Sequence, residues 1–214
     1  MPKRCSNEVT VYANSREDLT RLLAMATHPV EGDDDSDDAI PNLSPFRMES
    51  IHTTPRELME NNKPSGGEQL QNAIAGNTNY EYDNWYDWRV ANWGTKWDMD
   101  NVELDTVVPT GGEISKQYSF NLVYQTAWSP NIEFWKYVCN MGPFIVEMRY
   151  IEEGLGYIGE TTIKKDNVDD YCTNATNEML ESIGATLDKD GEVDWDVSEV
   201  NEWDLFPLKR EKVK

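Results

Sequence analysis

The sequence predicts an α+β fold, a ferredoxin-like sandwich in which helices pack on a mainly antiparallel sheet. Two observations carry this. Apolar residues alternate with period two in several segments, and segments with helix start and stop signals separate them. The order reads strand, helix, strand, insertion, strand, helix, strand, strand, helix, which makes two β-α-β passes. A third observation says that the chain folds at all: 11% of its 214 residues are aromatic, eight of them Trp. A disordered acidic chain lacks such residues.

Residues 8–13 alternate and read as the first strand. Ser15 caps a helix, with Asp18 three residues later in the capping-box place. Leu19, Leu22, Leu23 and Ala26 form its apolar stripe. Residues 31–38 hold six acids in eight positions, and like charges this dense predict a solvated, mobile segment. A strand-like pattern resumes over 44–52. Thr54-Pro55-Arg56-Glu57 signals a helix start. Trp85, Trp88 and Asn92 share one helical face, so a short helix to about Asn92 is expected. The clearest strand is 117–126, followed by a helix that Ser129-Pro130 starts and Gly142-Pro143 stops. Strands follow at 144–150 and 156–164. Val168, Cys172, Ala175, Met179 and Ile183 predict a last helix. The tail from Lys209 to Lys214 is basic and reads as a frayed end. The domain reading is 1–165 for the sandwich, with a Trp-rich insertion at about 53–105, and 166–214 for an acidic helical extension packed on it.

Charge narrows the function. Nineteen Lys and Arg face forty Asp and Glu, a net −21. Such a chain repels nucleic acid and anionic lipid and attracts basic surfaces. No apolar run approaches the ~20 residues of a membrane span. The sequence after Met1-Pro-Lys-Arg-Cys5 forms no signal-peptide core. Cys5, Cys139 and Cys172 are odd in number and far apart, which fits reduced thiols in a cytoplasm.

The candidate catalytic motifs resolve into structural ones. Gly154, Gly156 and Gly159 match G-x-G-x-x-G, but a strand-like Glu160-Thr-Thr-Ile163 follows where a nucleotide site needs a helix. They read as a glycine-bearing hairpin. Asp188 to Asp194 resembles a calcium loop, but Gly191 is fourth where that loop needs it sixth. It reads as a polar turn. His28 and His52 have no metal-ligand spacing. The Trp-rich stretch 80–105 carries too few cations for nucleic-acid stacking and reads as packing.

The acidic C-terminal third is more informative. From Asp166 to Asp204 there are 13 acids and one base, Lys189. Rows of carboxylates at helical spacing imitate a phosphate backbone; a solvated face that only aids solubility is the other reading.

The run Trp85-Tyr-Asp-Trp88-Arg89-Val-Ala-Asn92-Trp93-Gly94-Thr95-Lys96-Trp97-Asp98 is distinctive. With Thr126-Ala127-Trp128-Ser129-Pro130 it resembles a family of uncharacterised phage, plasmid and enterobacterial proteins carrying a YubB-like ferredoxin-like domain. Cys5-Ser6-Asn7, Thr54-Pro55 with Glu57-Leu58, and Tyr150 to Gly154 with Tyr157 to Gly159 are further points of likeness. The resemblance covers roughly residues 4–165 and implies the fold and a mobile-element origin. It implies no activity, and no cysteine pattern supports an iron–sulfur cluster. Trp93, Gly94, Thr95, Lys96 and Trp97 form the structural motif. Lys96 is expected in an internal ion pair, with Gly94 making a tight turn between two packed Trp residues.

These observations lead to an acidic phage-type binding protein, without cofactor. It would inhibit a basic host nucleic-acid-binding or defence protein, in the manner of a DNA mimic, without binding nucleic acid itself. The candidate contact residues are Asp33, Asp34, Asp35, Asp37, Asp38, Asp170, Glu178, Glu181, Asp188, Asp190, Glu192, Asp194, Asp196, Glu199 and Glu202. The alternatives are a metal-dependent enzyme with a carboxylate cluster, a direct nucleic-acid-binding accessory protein, and a protein whose acidity serves solubility.

Overall fold

Seven strands form one sheet in a computed structural model that describes residues 3–27, 45–59, 82, 84–152, 156–186, 202–206 and 208. The strands are β1 (Arg4–Ala13), β2 (Asp100–Leu104), β3 (Val108–Pro109), β4 (Tyr118–Ala127), β5 (Ile145–Glu152), β6 (Ile158–Lys164) and β7 (Asn167–Thr173). Their order is β2-β4-β1-β5-β6-β7, with β3 beside β4, and every pairing is antiparallel. Among the described residues the α-helices are α1 (Arg16–Ala26), α2 (Met48–Ile51), α3 (Arg56–Met59), α4 (Trp85–Trp93), α5 (Ile132–Met141) and α6 (Asn177–Ile183). The part β1-α1-β2-β4-α5-β5, ordered β2-β4-β1-β5, is the split β-α-β arrangement of a ferredoxin-like sandwich. The expected fold class holds, and β6 and β7 widen the sheet.

Among the described residues, one sheet face is covered by helices and the other is largely open. Period-two alternation turns Val9, Val11, Phe120, Leu122, Val146 and Met148 inward, against Leu19 and Leu22 of α1 and Phe134, Trp135 and Val138 of α5. Phe46 completes the core, 5.6 Å from the Trp135 ring and edge-on to Phe134 at 6.3 Å. Each such fully buried side chain contributes about 1.5–3 kcal/mol. Glu8, Thr10, Glu147, Arg149 and Thr162 point to the other face. A smaller cluster of Ile151, Ile158, Leu180, Leu205 and Leu208 covers one end of that face.

Start signals act as read. The Ser15 hydroxyl accepts from the backbone N–H of Glu17 and Asp18 at the head of α1. Residues 156–164 form the second arm of a hairpin. The Tyr150 ring lies against Gly159, where any Cβ would meet it at 2.1 Å.

Three expectations are corrected. The 44–52 pattern is helical over Met48–Ile51, not a strand. The cause is distant: Asp98 accepts from the N–H groups of Met48 and Glu49 at 2.8 and 3.1 Å and caps the turn from outside. The second strand of the fold is therefore β2, which falls within the stretch assigned to the insertion. The third correction concerns the start of the acidic extension. Residues 167–173 are strand β7, and the last helix begins at Asn177 behind a Thr176 cap. Val168 and Cys172, four apart, fit both periods, and pairing with β6 decides between them.

Candidate functional site

The Trp-rich run of residues 85–98 and the segment 126–130 meet in space. Helix α4 ends at Gly94, whose φ of +83° is the left-handed conformation that glycine tolerates. A Cβ there would lie 3.0 Å from the Pro130 carbonyl oxygen. The Ser129 hydroxyl donates to the Gly94 carbonyl at 2.5 Å, and the buried Thr95 hydroxyl donates to the Ala127 carbonyl at 2.9 Å. The tight turn expected at Gly94 is present.

Its two Trp neighbours differ. Trp93 is fully buried, and its Nε1–H donates to the His52 carbonyl at 2.9 Å. The Arg89 guanidinium lies 4.6 Å from its ring centre and pairs with Glu49 at 2.9 Å. Glu49 also accepts from the N–H and hydroxyl of Thr54, both at 2.7 Å. Trp97, expected to be packed, is 45% exposed.

Lys96 makes no ion pair among the described residues, contrary to expectation. Its ammonium sits 3.8 Å from the Trp97 ring centre and 3.9 Å from that of Trp128. Trp128 is 43% exposed and has a φ of +68°, rare for a bulky residue. Its N–H donates to the Lys3 carbonyl at 3.0 Å, and its carbonyl accepts from the Tyr157 hydroxyl. The result is a surface clamp of two rings around one cation. Charge pattern alone gave no sign of it, because the second ring comes from a different motif. The Trp before Ser129-Pro130 was the available signal.

Behind the clamp runs a buried polar chain. Asn7 donates to the Cys5 carbonyl at 2.8 Å and to Thr126 at 3.0 Å. Trp135 donates to the Tyr124 hydroxyl, which donates to Asn131, at 2.8 and 2.7 Å. Burial pushes the Cys5 thiol up to about 12 and Tyr124 well above the usual phenol range. Both stay neutral and structural. Burial also raises the Asp98 carboxyl, against three backbone N–H donors and Arg47, which lower it.

The acidic candidates separate into groups. Asp33, Asp34, Asp35, Asp37 and Asp38 lie outside the described residues, as do Asp188, Asp190, Glu192, Asp194, Asp196 and Glu199. The backbone of Glu202 begins a 3-10 turn over Glu202–Leu205. Glu178 and Glu181 are exposed on α6. Asp170 is on β7 rather than a helix, and accepts from the Tyr150 hydroxyl at 2.9 Å and from Thr161. Cations are paired within the chain, Lys3 with Glu152, Arg4 with Asp100, Lys136 with Glu133 and Arg149 with Glu8. Both sheet edges expose carboxylates, Asp100, Glu103 and Asp105 on one side and Asp166, Asp169 and Asp170 on the other. Acids there also deter strand addition.

Among the described residues, no three His, Cys, Asp or Glu side chains group to hold a metal ion. No helix among them is long and apolar enough to cross a membrane.

Fold and site together define an α+β protein with a widened ferredoxin-like sheet, an aromatic clamp at one corner and acidic edges. No family model matches the chain, and no curated protein does. A solved structure similar to it is that of protein api92 from Yersinia pseudotuberculosis, assigned to family model DUF1281. The two share 10% identity at a TM-score of 0.40, over 82% of this chain and 99% of that one.

Proposed function

We propose that this protein works by binding, and that its partner is a basic host protein that handles nucleic acid or serves in defence. The clamp carries the reading. Trp97 and Trp128 are half-exposed, and the backbone around Trp128 is held in a left-handed conformation by hydrogen bonds on both sides. Backbone strain of that kind, of order 1–3 kcal/mol, persists where surrounding structure supports it and clusters at functional sites. Trp is one of the residues enriched among the anchors of protein interfaces.

The net −21 supports the choice of partner. Long-range attraction speeds encounter with a cationic surface, and the anchors then set the lifetime of the complex. The acidic stretches Asp33–Asp38 and Asp188–Glu202 supply most of that field. The partner's nucleic-acid site is the surface they match, and occupying it makes the protein an inhibitor. The family resemblance of the two clamp segments supports a phage or plasmid origin for such a factor.

The test is capture on the immobilised protein from nuclease-treated bacterial lysate over a salt series, followed by competition in solution. The expected result is a nucleic-acid-binding protein that is released as salt rises. The free protein displaces DNA or RNA from it, and Trp97→Ala/Trp128→Ala weakens the complex by about tenfold or more. Unchanged binding by that variant, or no displacement, overturns the reading.

A further inference from the structure

Lys96 sits where a cation from outside the chain would sit. Its ammonium lies over the Trp97 ring at 3.8 Å and over the Trp128 ring at 3.9 Å from their centres. The two ring centres are therefore at most about 8 Å apart, twice the ~3.5–4.0 Å contact distance of packed groups. Such an opening admits one flat cation against both faces. Both rings are half-exposed, so it is reachable from solvent.

The walls do not depend on Lys96. Trp128 is fixed by its N–H on the Lys3 carbonyl and by the Tyr157 hydroxyl on its own carbonyl. Trp97 follows the Gly94 turn, which Thr95 and Ser129 tie to the other segment at 2.9 and 2.5 Å. Among the described residues the Lys96 ammonium meets these two rings and no carboxylate. It can swing out on its flexible stem without leaving a described acid unpaired.

We propose that Lys96 is the resident occupant of a cation cage, and that an arginine side chain of the basic partner takes its place on binding. The inference rests on the binding reading for its partner and adds the group that the clamp receives. A guanidinium is flat, stacks on aromatic faces and is more weakly hydrated than an ammonium. Exchange therefore returns the strongly hydrated head to water and desolvates the weaker one. Arginine is also a residue of choice where proteins hold phosphate, and the net −21 draws such surfaces in. Lys96 is tethered, so it competes at an effective concentration of millimolar order or above. An arginine that the rest of an interface positions overcomes that competition, and a free one does so weakly.

The test follows the indole N–H signals of the full chain by heteronuclear NMR as methylguanidinium, methylammonium or neutral methylurea is added. Trp97→Phe and Trp128→Phe fix the assignments, and Lys96→Ala vacates the cage. In Lys96→Ala, methylguanidinium should shift the Trp97 and Trp128 signals saturably, while the fully buried Trp93 and Trp135 stay in place and report an intact fold. Wild type should show the same shifts at about tenfold higher concentration. Methylammonium should act more weakly, and methylurea not at all. No saturable shift of the two signals in Lys96→Ala overturns the proposal, as does equal affinity in wild type and variant or an equal response to methylurea. Should Lys96→Ala displace the Trp93 or Trp135 signal, the wild-type titration against methylurea decides by the same signs. The capture experiment fails separately: a cage that takes guanidinium without any captured partner overturns the partner reading alone, and a captured partner beside a cage that refuses guanidinium overturns this inference alone.

Discussion

The junction of residues 93–98 with 126–130 and the acidic stretch from Asp166 onward shape the molecule's surface by opposite means. The junction depends on position. Gly94 fits because no Cβ is there, Thr95 and Ser129 each hold one carbonyl, and Lys96 meets two rings from different segments. The acidic stretch depends on number. Glu178 and Glu181 stand exposed on a seven-residue helix, and their like charges act at a distance whatever their exact rotamers. The junction should therefore punish single substitutions, whereas the exposed acids of α6 should respond only to the total change in charge; Asp170, held by Tyr150 and Thr161, belongs with the first kind.

The largest expected effect is at the buried end of the junction. Trp93→Ala removes a fully buried ring that carries a hydrogen bond to His52 and the stacked Arg89 guanidinium. Losses for such truncations run at about 3–5 kcal/mol. Urea denaturation measures this as a fall in midpoint at unchanged slope. A loss below about 1 kcal/mol, the scale of an ordinary surface change, breaks the comparison.

The same contrast explains what was legible in the sequence. Local rules were readable: the Ser15 cap, the alternation of β1, β4 and β5, and the Gly-Pro stop after α5. The fold class follows from these. Long-range decisions were not readable. Met48–Ile51 is helical because the Asp98 carboxylate caps it from fifty residues away. Strand β2 has two acids, a register shift and Asn101 at φ +51°, so its pattern is poor, and pairing with β4 makes it a strand. The motif residues Trp93 to Trp97 were visible as a motif, but the partner of Lys96 was not. A lysine among acids suggests an ion pair, and only the fold brings Trp128 to it.

A second test uses pH. His52 stacks on Tyr137 at 3.7 Å and meets Trp88 edge-on at 4.9 Å, and its Nδ1 is buried without a hydrogen-bond partner. Burial lowers its pKa below the ordinary imidazole value. Between the lowered folded pKa and the unfolded value of about 6.5, the unfolded chain holds the extra proton. Stability therefore falls as pH drops below about 6.5. The midpoint of wild type should fall more than that of His52→Phe, which keeps an aromatic ring on Tyr137, as pH drops from about 7.5 to 5.5. Equal slopes would remove His52 from the position-dependent region.

The smallest effects sharpen the comparison most, because there the two regions approach each other in magnitude. Lys96→Met removes a cation from two half-exposed rings, each contact worth about 0.5–1 kcal/mol. Methionine keeps apolar contact with both, so the net loss should stay near 1 kcal/mol or below. Its signature is coupling: in a double-mutant cycle with Trp128→Ala, the two losses should fall short of additivity by about 0.5 kcal/mol or more. Glu178→Gln with Glu181→Gln should change stability by no more than about 0.5 kcal/mol and show no coupling to the clamp. Their signature is electrostatic, a slower salt-dependent association with a basic partner. If neutralising the two acids costs more folding stability than Lys96→Met, the acidic helix is held by specific contacts of its own. The division between a region of position and a region of charge then fails at its weakest point.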